Sequence, residues 1–363
     1  MAPKRARPAS TATNGSKAKI QKTLPFKVVK KETETEEQSE ISSESENEIE
    51  NVPKGKDGKV NYKSMTNILP KDFVETSKHN VFIGSHLSIS GGIENAIIEA
   101  GAIGAQAAAF FLCNQRTWNV KELDEESVKK FRKACDDYGF PSHLIVPHAS
   151  YLMNPGSGDK ELLAKSRKLM IDGMDRCDRL GIDLYNFHPG STCGKISIDE
   201  CIKNIAESVN IAHSKTKSVI AVIENMCKQG HTIGGDFKEI KKIIDLVEDK
   251  SRVGVCIDTC HAFAAGHNLK TEDGFNQMMT EFEEIIGIKY LKAVHLNDSN
   301  GVCGSHLDRH ANIGKGKIGL KAFKRLVNDP RFKNIPMVLE TPVTDKDPLV
   351  YKREIKLLYK QVD

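Results

Sequence analysis

The 363-residue sequence contains no long run of apolar residues, and a membrane-spanning helix would need about 18 or more in succession. The apolar segment expected of a secretory signal is also missing near the amino terminus. The nine cysteines are odd in number and include no Cys-x-x-Cys pair, which fits a reducing compartment better than a disulfide framework. No Gly-x-Gly-x-x-Gly stretch follows the first apolar run, so a dinucleotide-binding open sheet lacks its usual motif.

The first 75 residues are poor in large apolar side chains, and their charges lie in separate blocks. Residues 1–31 hold nine Lys or Arg and no acid, whereas residues 32–50 hold nine Glu and no base. Such a segment buries too little apolar surface to offset chain entropy, so we predict a disordered tail over 1–75 and one domain over 76–363. The basic cluster Pro3–Pro8 resembles a nuclear localisation signal and predicts a nuclear protein. A mitochondrial transit peptide is the alternative, because residues 1–31 lack acids.

From residue 80 onward, short β-prone apolar runs alternate with longer segments that have helical periodicity. The eight runs are 81–86, 107–113, 143–148, 183–188, 219–225, 253–258, 290–296 and 336–340. A helix is predicted over 197–216, where Ser197 and Glu200 form a capping box before a stripe of apolar residues. The other predicted helices are 122–139, 159–181, 236–248, 271–287 and 349–363. Eight such units predict parallel strands closed into a (β/α)₈ barrel, with a doubly wound open sheet as the alternative.

The catalytic groups of a (β/α)₈ barrel lie at the carboxyl ends of its strands, and here those ends are polar. Seven of the eight runs end at His86, His148, His188, Glu224, Asp258, His295 and Glu340. His261 follows closely, and Asp308 and His310 lie two residues apart in the loop after the seventh run. Carboxylates and imidazoles packed together strongly perturb one another's pKa values unless a cation neutralises them, which predicts two or three divalent metal ions. This donor set favours Zn²⁺, with Mn²⁺ or Fe²⁺ as alternatives, and clustered metals suit the hydrolysis of phosphate esters.

Several motifs resemble those of the endonuclease IV family of apurinic/apyrimidinic (AP) endonucleases, AP endonuclease family 2. The motifs are His148–Asn154, Asn186–Gly190, Ile223–Asn225, Val255–His261, His295–Ser299 and Gly304–His310. The resemblance runs from about residue 80 to 343 and covers all nine metal-ligand positions of the family. It implies three zinc ions per chain, with Mn²⁺ as a substitute at one site. The implied ligands are His148, His188 and a bridging Glu224 for the first ion, Glu224, Asp258, His295 and Glu340 for the second, and His261, Asp308 and His310 for the third.

The same resemblance implies a hydrolase of DNA repair, acting in base excision repair. It would cut the phosphodiester 5′ to an abasic site in double-stranded DNA, leave a 3′-hydroxyl and a 5′-deoxyribose phosphate, and trim blocked 3′ ends, with Glu224 as the catalytic residue. The positions that match DNA-contacting residues are Asn114, Gln115, Arg116, Tyr151 and Leu152. We expect a monomer, and the lack of a long apolar run predicts no membrane partner. Two positions depart from the family pattern: Pro155 would stiffen the loop that carries Tyr151, and Asn300 stands where the family has a lysine.

Two other functions compete with this one. A sugar isomerase or epimerase on a related barrel would use one or two ions and would need fewer histidine ligands. A scaffold that binds damaged DNA with a dead site would be expected to lack a ligand, and none is missing. Cys256 and Cys260 are interpreted as small buried hydrophobic residues, because every strand end offers oxygen or imidazole nitrogen and none offers sulfur.

Overall fold

The computed structural model describes residues 53–55, 60–65, 79–344 and 347–363. The predicted nuclear signal and the acidic block lie outside the described residues. Part of the predicted tail does fold, because a 3₁₀ helix at Tyr62–Met65 places the Tyr62 ring against the core and its hydroxyl 3.4 Å from the carbonyl of Pro348. This short segment lies within the predicted tail, and partial burial of its aromatic ring helps to offset the cost of ordering the chain. Within the described part of the chain, no helix combines the length and apolarity needed to cross a membrane.

Seven parallel strands form one sheet. They are β1 Phe82–His86, β2 Ala107–Ala109, β3 Leu184–Phe187, β4 Ile220–Glu224, β5 Val253–Asp258, β6 Leu291–His295 and β9 Pro336–Leu339, in the spatial order β2-β1-β9-β6-β5-β4-β3. A separate antiparallel pair, β7 Asp298–Ser299 and β8 His310–Ala311, follows β6. Parallel bridges join residues 145 and 148 to the β2 side and residue 148 to β3. The third predicted run therefore lies between the two edge strands, and the predicted (β/α)₈ barrel is confirmed.

The third run is shorter than predicted, because its first residues form a 3₁₀ helix at Ser142–Leu144. Beyond that turn the chain is paired on both sides. The N–H of Val146 donates to the carbonyl of Ala108 at 2.8 Å, and the N–H of Asn186 donates to the carbonyl of Pro147 at 2.9 Å. Pro147 has no N–H to give to a ladder, so this segment closes the barrel through a few bonds rather than a continuous strand.

Nine α-helices lie in the described part of the chain. They are α1 Glu94–Ala102, α2 Glu125–Tyr138, α3 Lys160–Leu180, α4 Ile198–Lys215, α5 Phe237–Leu246, α6 Thr259–Ala265, α7 Glu272–Ile285, α8 Leu320–Asn328 and α9 Val350–Tyr359. The six predicted helices are confirmed within narrower limits, and Ser197 caps α4 by accepting a bond from the N–H of Glu200 at 3.2 Å. Helices α1, α6 and α8 were not predicted; they are among the shortest, with seven to nine residues each.

Two apolar layers support the barrel. The larger one lies between the strands and the helices and contains most of the buried Ile, Leu, Val and Phe side chains. The smaller one consists of Ala107, Ala109, Val146, Leu184, Val222, Cys256, Ala293 and Val338, drawn from seven of the eight strand runs. Strand side chains alternate between the two faces, so residues two positions further along each strand point in the same direction as this inner layer.

Candidate metal centre

The polar groups at the barrel mouth continue the alternation of the inner layer. For the six members outside the second run, the residues two positions further along are His148, Asn186, Glu224, Asp258, His295 and Glu340. Glu224, Asp258 and His295 are completely buried, and His148 is 2% exposed. Five of the nine predicted ligands thus lie with Asn186 in one layer above the inner apolar layer, on strand runs that the barrel brings together.

The nine predicted ligands fall into overlapping groups. Within each group, the nitrogen, oxygen or sulfur atoms that could bind an ion lie within 4.8 Å of one another. One group is His148, His188 and Glu224, and a second is Glu224, Asp258, His295 and Glu340. These two groups have the membership predicted from the sequence.

The third predicted set is divided between two groups that share His261. One contains Asp258, His261 and His310, and the other contains Cys227, His261 and Asp308. Asp308 connects them, because its carboxylate lies 3.3 Å from Nε2 of His261 and 3.3 Å from Nε2 of His310. Asp308 therefore lies next to both histidines of the predicted third set, although among the described residues no group within 4.8 Å contains all three side chains.

Glu224 lies at the centre of the cluster, and its two carboxylate oxygens face different groups. Oε2 is 3.2 Å from Nε2 of His148 and 3.6 Å from Nε2 of His188. Oε1 is 3.3 Å from Nδ1 of His295 and 3.2 Å from Nδ1 of His261. A carboxylate placed in this way can serve two neighbouring cations, one through each oxygen.

Hydrogen bonds to the main chain set the orientation of three histidine rings. Nδ1 of His148 lies 2.7 Å from the carbonyl of Ala149, Nδ1 of His261 lies 2.9 Å from that of Asn225, and Nδ1 of His310 lies 3.1 Å from that of Glu340. A carbonyl oxygen only accepts, so each Nδ1 carries a proton, and in the neutral ring Nε2 offers a lone pair. This is the arrangement by which proteins orient histidine ligands of metals.

The donor atoms are placed to bind a cation, because several of them do not pair with other protein atoms. Several are buried and have no hydrogen-bonding partner among the described residues. They are Glu224 Oε1, Glu340 Oε1, His261 Nε2, His310 Nε2 and both ring nitrogens of His295. Buried polar atoms are normally paired, because an unpaired one costs about 1 to 3 kcal/mol, so this cluster needs an additional partner. Imidazole and carboxylate donors together suit zinc and related divalent ions.

The carboxylates and imidazoles of the cluster strongly shift one another's pKa values. Burial by itself would raise the pKa of Glu224, yet the imidazoles of His295 and His188 hold that pKa well below its usual range. Burial would lower the pKa of His310, but the neighbouring carboxylate of Asp308 raises it to about 9. Burial also opposes a charge on His261, yet Asp258 and Asp308 raise its pKa well above the usual value. The rings hold protons tightly against the carboxylates, and a divalent cation that binds there must displace those protons.

Three buried asparagines hold the carboxylates in place, and the sequence analysis gave them no role of their own. Nδ2 of Asn186 donates to Glu224 Oε2 at 2.6 Å, and Nδ2 of Asn297 donates to Asp258 Oδ2 at 2.6 Å. Oδ1 of Asn225 accepts from the N–H of Asp258 at 2.7 Å. Each asparagine lies at or close to a strand end within the family motifs. That position could have indicated from the sequence that the side chain lies near the donors.

The loop that carries Asp308 and His310 is fixed by the buried carboxylate of Asp298. The pair β7–β8 connects this loop to the barrel. Asp298 accepts hydrogen bonds from the N–H groups of Ser299, Gly314, Gly316, Ile318 and Gly319, at distances of 2.7 to 3.2 Å. A rigid loop on this side keeps His310 at the mouth.

Comparison with known proteins agrees with this geometry. Residues 97–361 match a family model described as a xylose isomerase-like TIM barrel. The chain is 49% identical to the probable endonuclease 4 of Phocaeicola vulgatus over 76% of this chain and 97% of that protein. It belongs to the endonuclease IV family. The crystal structure of endonuclease IV from Thermus thermophilus superimposes with a TM-score of 0.68 at 31% identity, over 77% of this chain and all of that one.

Not every family relative has the same length. The apurinic-apyrimidinic endonuclease 1 of Plasmodium falciparum is 46% identical over 89% of this chain, yet the chain spans only 53% of that protein. The family resemblance inferred from the motifs is confirmed, and the region that matches the family model contains all the groups of the candidate metal centre.

The loops predicted to contact DNA lie beside the candidate metal centre in this endonuclease IV family member. Tyr151 is 58% exposed, and its ring centre lies 5.1 Å from that of His148 and 5.4 Å from that of His188. The hydroxyl of Ser150 donates to the carbonyl of Gln115 at 2.8 Å, which joins the Tyr151 loop to the segment 114–116. The structure therefore brings the predicted DNA-contacting residues to one edge of the mouth.

Both departures from the family pattern have defined contacts. The carbonyl of Pro155 accepts from the hydroxyl of Ser208 at 3.0 Å, which fixes the Tyr151 loop to helix α4. Nδ2 of Asn300 donates to the carbonyl of His310 at 2.7 Å. Asn300 carries no charge, but it holds the main chain of a candidate ligand.

One side chain at the mouth was missed by the sequence analysis. Cys227 is buried three residues after Glu224, and its sulfur lies within 4.8 Å of donor atoms of His261 and Asp308. The expectation concerned strand ends, and Cys227 lies in the loop beyond the end of β4 at Glu224. The short spacing between Glu224 and Cys227 could have indicated this position from the sequence, because it keeps Cys227 at the mouth although the residue lies beyond the strand. Cys256, by contrast, is a buried member of the inner apolar layer, as predicted.

Proposed function

We propose that this chain is a metal-dependent endonuclease of DNA repair, specific for abasic sites in double-stranded DNA. Hydrolysis of the phosphodiester on the 5′ side would leave a 3′-hydroxyl and a 5′-deoxyribose phosphate, and the same site would trim blocked 3′ ends. The observation that carries the proposal is the position of Glu224, whose two oxygens face separate groups of buried donors. Relatives that bear the names endonuclease 4 and apurinic-apyrimidinic endonuclease support the same reaction.

The donor groups would hold three zinc ions, with Mn²⁺ as a substitute at one site. His148, His188 and Glu224 would hold the first ion, and Asp258, His295 and Glu340 would join Glu224 around the second. His261, Asp308 and His310 would hold the third. Clustered divalent ions polarise phosphate oxygens and lower the pKa of water, so the protein needs no separate side chain as a general base.

The chain's own residues would position the substrate. Tyr151 offers an exposed aromatic face beside two histidines of the centre, a surface against which a sugar or a neighbouring base can stack. Asn114, Gln115, Arg116 and Leu152 lie on the adjoining loops and would contact the duplex around the lesion. Asn186 would keep Glu224 in its orientation during the reaction.

An abasic nucleotide suits a site that lies within a barrel mouth. The reacting phosphodiester must leave the regular duplex to approach buried donors, and turning out a nucleotide costs a few kilocalories per mole when a base must be unstacked and unpaired. An abasic sugar has no base to unstack, so it reaches the mouth at lower cost. Selectivity then follows from the missing base rather than from contacts to a particular sequence.

The isomerase alternative is weaker on the same observations. A sugar isomerase would need one or two ions, whereas the described residues at this mouth form four overlapping groups of donors. An enclosed sugar site would also have little use for an exposed aromatic ring at the rim. The scaffold alternative would be favoured by a missing donor, and each of the nine positions carries one.

An incision assay tests the proposal. Full-length protein loaded with zinc is incubated with a duplex that contains one tetrahydrofuran abasic analogue, and the ends of the products are identified. We expect a single cut on the 5′ side of the analogue, which has no aldehyde and therefore cannot react by β-elimination. Glu224→Gln should lose incision, and the control Glu284→Gln, on the exposed face of α7, should not. Incision that persists in Glu224→Gln, or no incision by the zinc-loaded protein, would refute the proposal.

Two further properties are proposed with this function. We propose that the chain acts as a monomer, which light scattering on the zinc-loaded protein would test, with a dimer mass as the contrary result. We also propose that the basic cluster Pro3–Pro8 directs it to the nucleus, with the mitochondrion as the alternative destination. Microscopy of the tagged chain, with and without that cluster, distinguishes the two.

A further inference from the structure

The thiol of Cys227 lies against the third group of donors, on the loop that follows β4. It is fully buried, and its sulfur, a ring nitrogen of His261 and a carboxylate oxygen of Asp308 lie within 4.8 Å of one another. Atoms that share one zinc ion are roughly 3 to 4.5 Å apart, because zinc bonds to sulfur and nitrogen are about 2.0 to 2.3 Å long. The sulfur is thus close enough to share an ion with the other two donors.

The main chain holds Cys227 in this position. Its carbonyl lies 3.0 Å from Nδ1 of His306, and the N–H of His306 donates to the carbonyl of Ala264 at 3.0 Å. His306 takes a left-handed conformation with φ of 56°, which residues other than glycine seldom adopt. These bonds connect the loop after β4 to helix α6 and to the loop between β7 and β8, so the thiol is not on a loosely placed segment.

His261 supplies an independent sign that a ligand belongs here. The ring is 2% exposed, and its Nδ1 is engaged by the carbonyl of Asn225. Its Nε2 has no hydrogen-bonding partner among the described residues, although it points to the space shared with Asp308, whose oxygen is 3.3 Å away. Once the ring gives up the proton that it otherwise holds against Asp308, Nε2 offers a buried lone pair to this space, and a cation there would satisfy it.

We propose that Cys227 is a sulfur ligand of the third metal ion, together with His261, Asp308 and His310. This inference rests on the proposed metal centre. When the sulfur–metal bond forms, the thiol loses its proton to solvent and binds as a thiolate. Four protein donors would then surround the third ion, and the soft sulfur would raise its preference for Zn²⁺, Co²⁺ or Cd²⁺ over Mn²⁺, relative to sites built from nitrogen and oxygen alone.

A packing role is the alternative, since a buried free cysteine often behaves as a small hydrophobic residue. Cys256 and Cys260 provide the comparison. Both are buried close to candidate ligands, but neither belongs to a donor group in the described part of the chain. If Cys227 only packs, its replacement should change the metal centre no more than replacement of these two.

Cobalt spectroscopy on the full chain distinguishes the two roles without a measurement of activity. The protein is stripped of metal and reloaded with Co²⁺, whose visible bands report occupancy and whose near-ultraviolet charge-transfer band reports a thiolate ligand. We expect the charge-transfer band in the wild type, in Cys256→Ala and in Cys260→Ala. We expect it to vanish in Cys227→Ser and Cys227→Ala, with a roughly 10- to 100-fold weaker affinity for the third ion. A cadmium-113 resonance shifted by sulfur, recorded on the wild type, checks the result without a variant.

The outcomes separate this inference from the function on which it rests. The sulfur ligand would be refuted if the wild type showed visible cobalt bands without the charge-transfer band, or if the charge-transfer band persisted in Cys227→Ser. Either result would leave the proposed metal centre unaffected. A wild-type chain that binds no cobalt at all would overturn both.

Discussion

The side chain of Asn186 offers a direct test of how the protein holds the central carboxylate. Its Nδ2 donates to Glu224 Oε2 across 2.6 Å, and both residues are completely buried. A hydrogen bond to a charged group contributes about 1.5 to 3 kcal/mol, and each 1.4 kcal/mol is about a factor of ten in affinity. If Glu224 needs this bond to face two ions, Asn186→Ala should weaken metal retention by roughly 10- to 100-fold.

The barrel itself should survive this change. Asn186 closes the sheet through its main chain, with its N–H bonded to Pro147 and its carbonyl to the N–H of Ala149, and neither bond uses the side chain. Circular dichroism should therefore report a folded protein. Asn328→Ala is a matched control, because that side chain also donates to carbonyls but lies near the carboxyl terminus, away from the mouth.

The assay is competition between the zinc-loaded protein and a chelator of known affinity, followed by the amount of metal that remains bound. We expect Asn328→Ala to release zinc as the wild type does and Asn186→Ala to release it at a lower chelator concentration. Equal release by all three folded proteins would refute the idea that Asn186 orients Glu224.

Three other substitutions test the fold around the centre. In Gly84→Ala the new Cβ would lie 1.6 Å from the carbonyl oxygen of Ala107, so we expect little folded protein by circular dichroism, and a variant that melts like the wild type would contradict the packing of β1 against β2. Asp298→Asn removes the charge that accepts from five N–H groups and should lower the free energy of unfolding in urea by about 3 kcal/mol, whereas a change below about 0.5 kcal/mol would be contrary to this role. Burial raises the pKa of Glu99 from its ordinary value of 4.5 to about 7 in the folded protein. Its contribution to the free energy of unfolding is therefore most favourable below about pH 4.5 and is lost as the pH rises through 7. Glu99→Gln should therefore be more stable than the wild type at pH 8, by at most about 3 kcal/mol, and an equal difference in melting temperature at pH 5 would argue against this cause.

The sequence predicted much of the barrel because local chemistry repeats along it. Eight apolar runs separated by amphipathic segments specify parallel strands with helical crossovers, and the cap at Ser197 marks the start of α4. The donor positions followed from the polar ends of those runs, since parallel strands bring their carboxyl ends together. The structure differs from the predicted strands at the third run. There the apolar pattern predicts a strand, but Pro147 lacks the N–H that a regular strand would donate.

The family resemblance implied the membership of two donor groups, but only the tertiary structure decided which atoms of those donors lie together. The distances that give each oxygen of Glu224 a separate set of histidines depend on side-chain rotamers and on the curvature of the barrel, and neither is encoded in spacing along the chain. Cys227 lies beyond the strand end and reaches His261 only because the loop after β4 is held by a residue 79 positions away, His306. The sequence by itself thus determined the strands and the chemistry of their ends, through local periodicity, while long-range packing of loops and rings determined the partners of each atom.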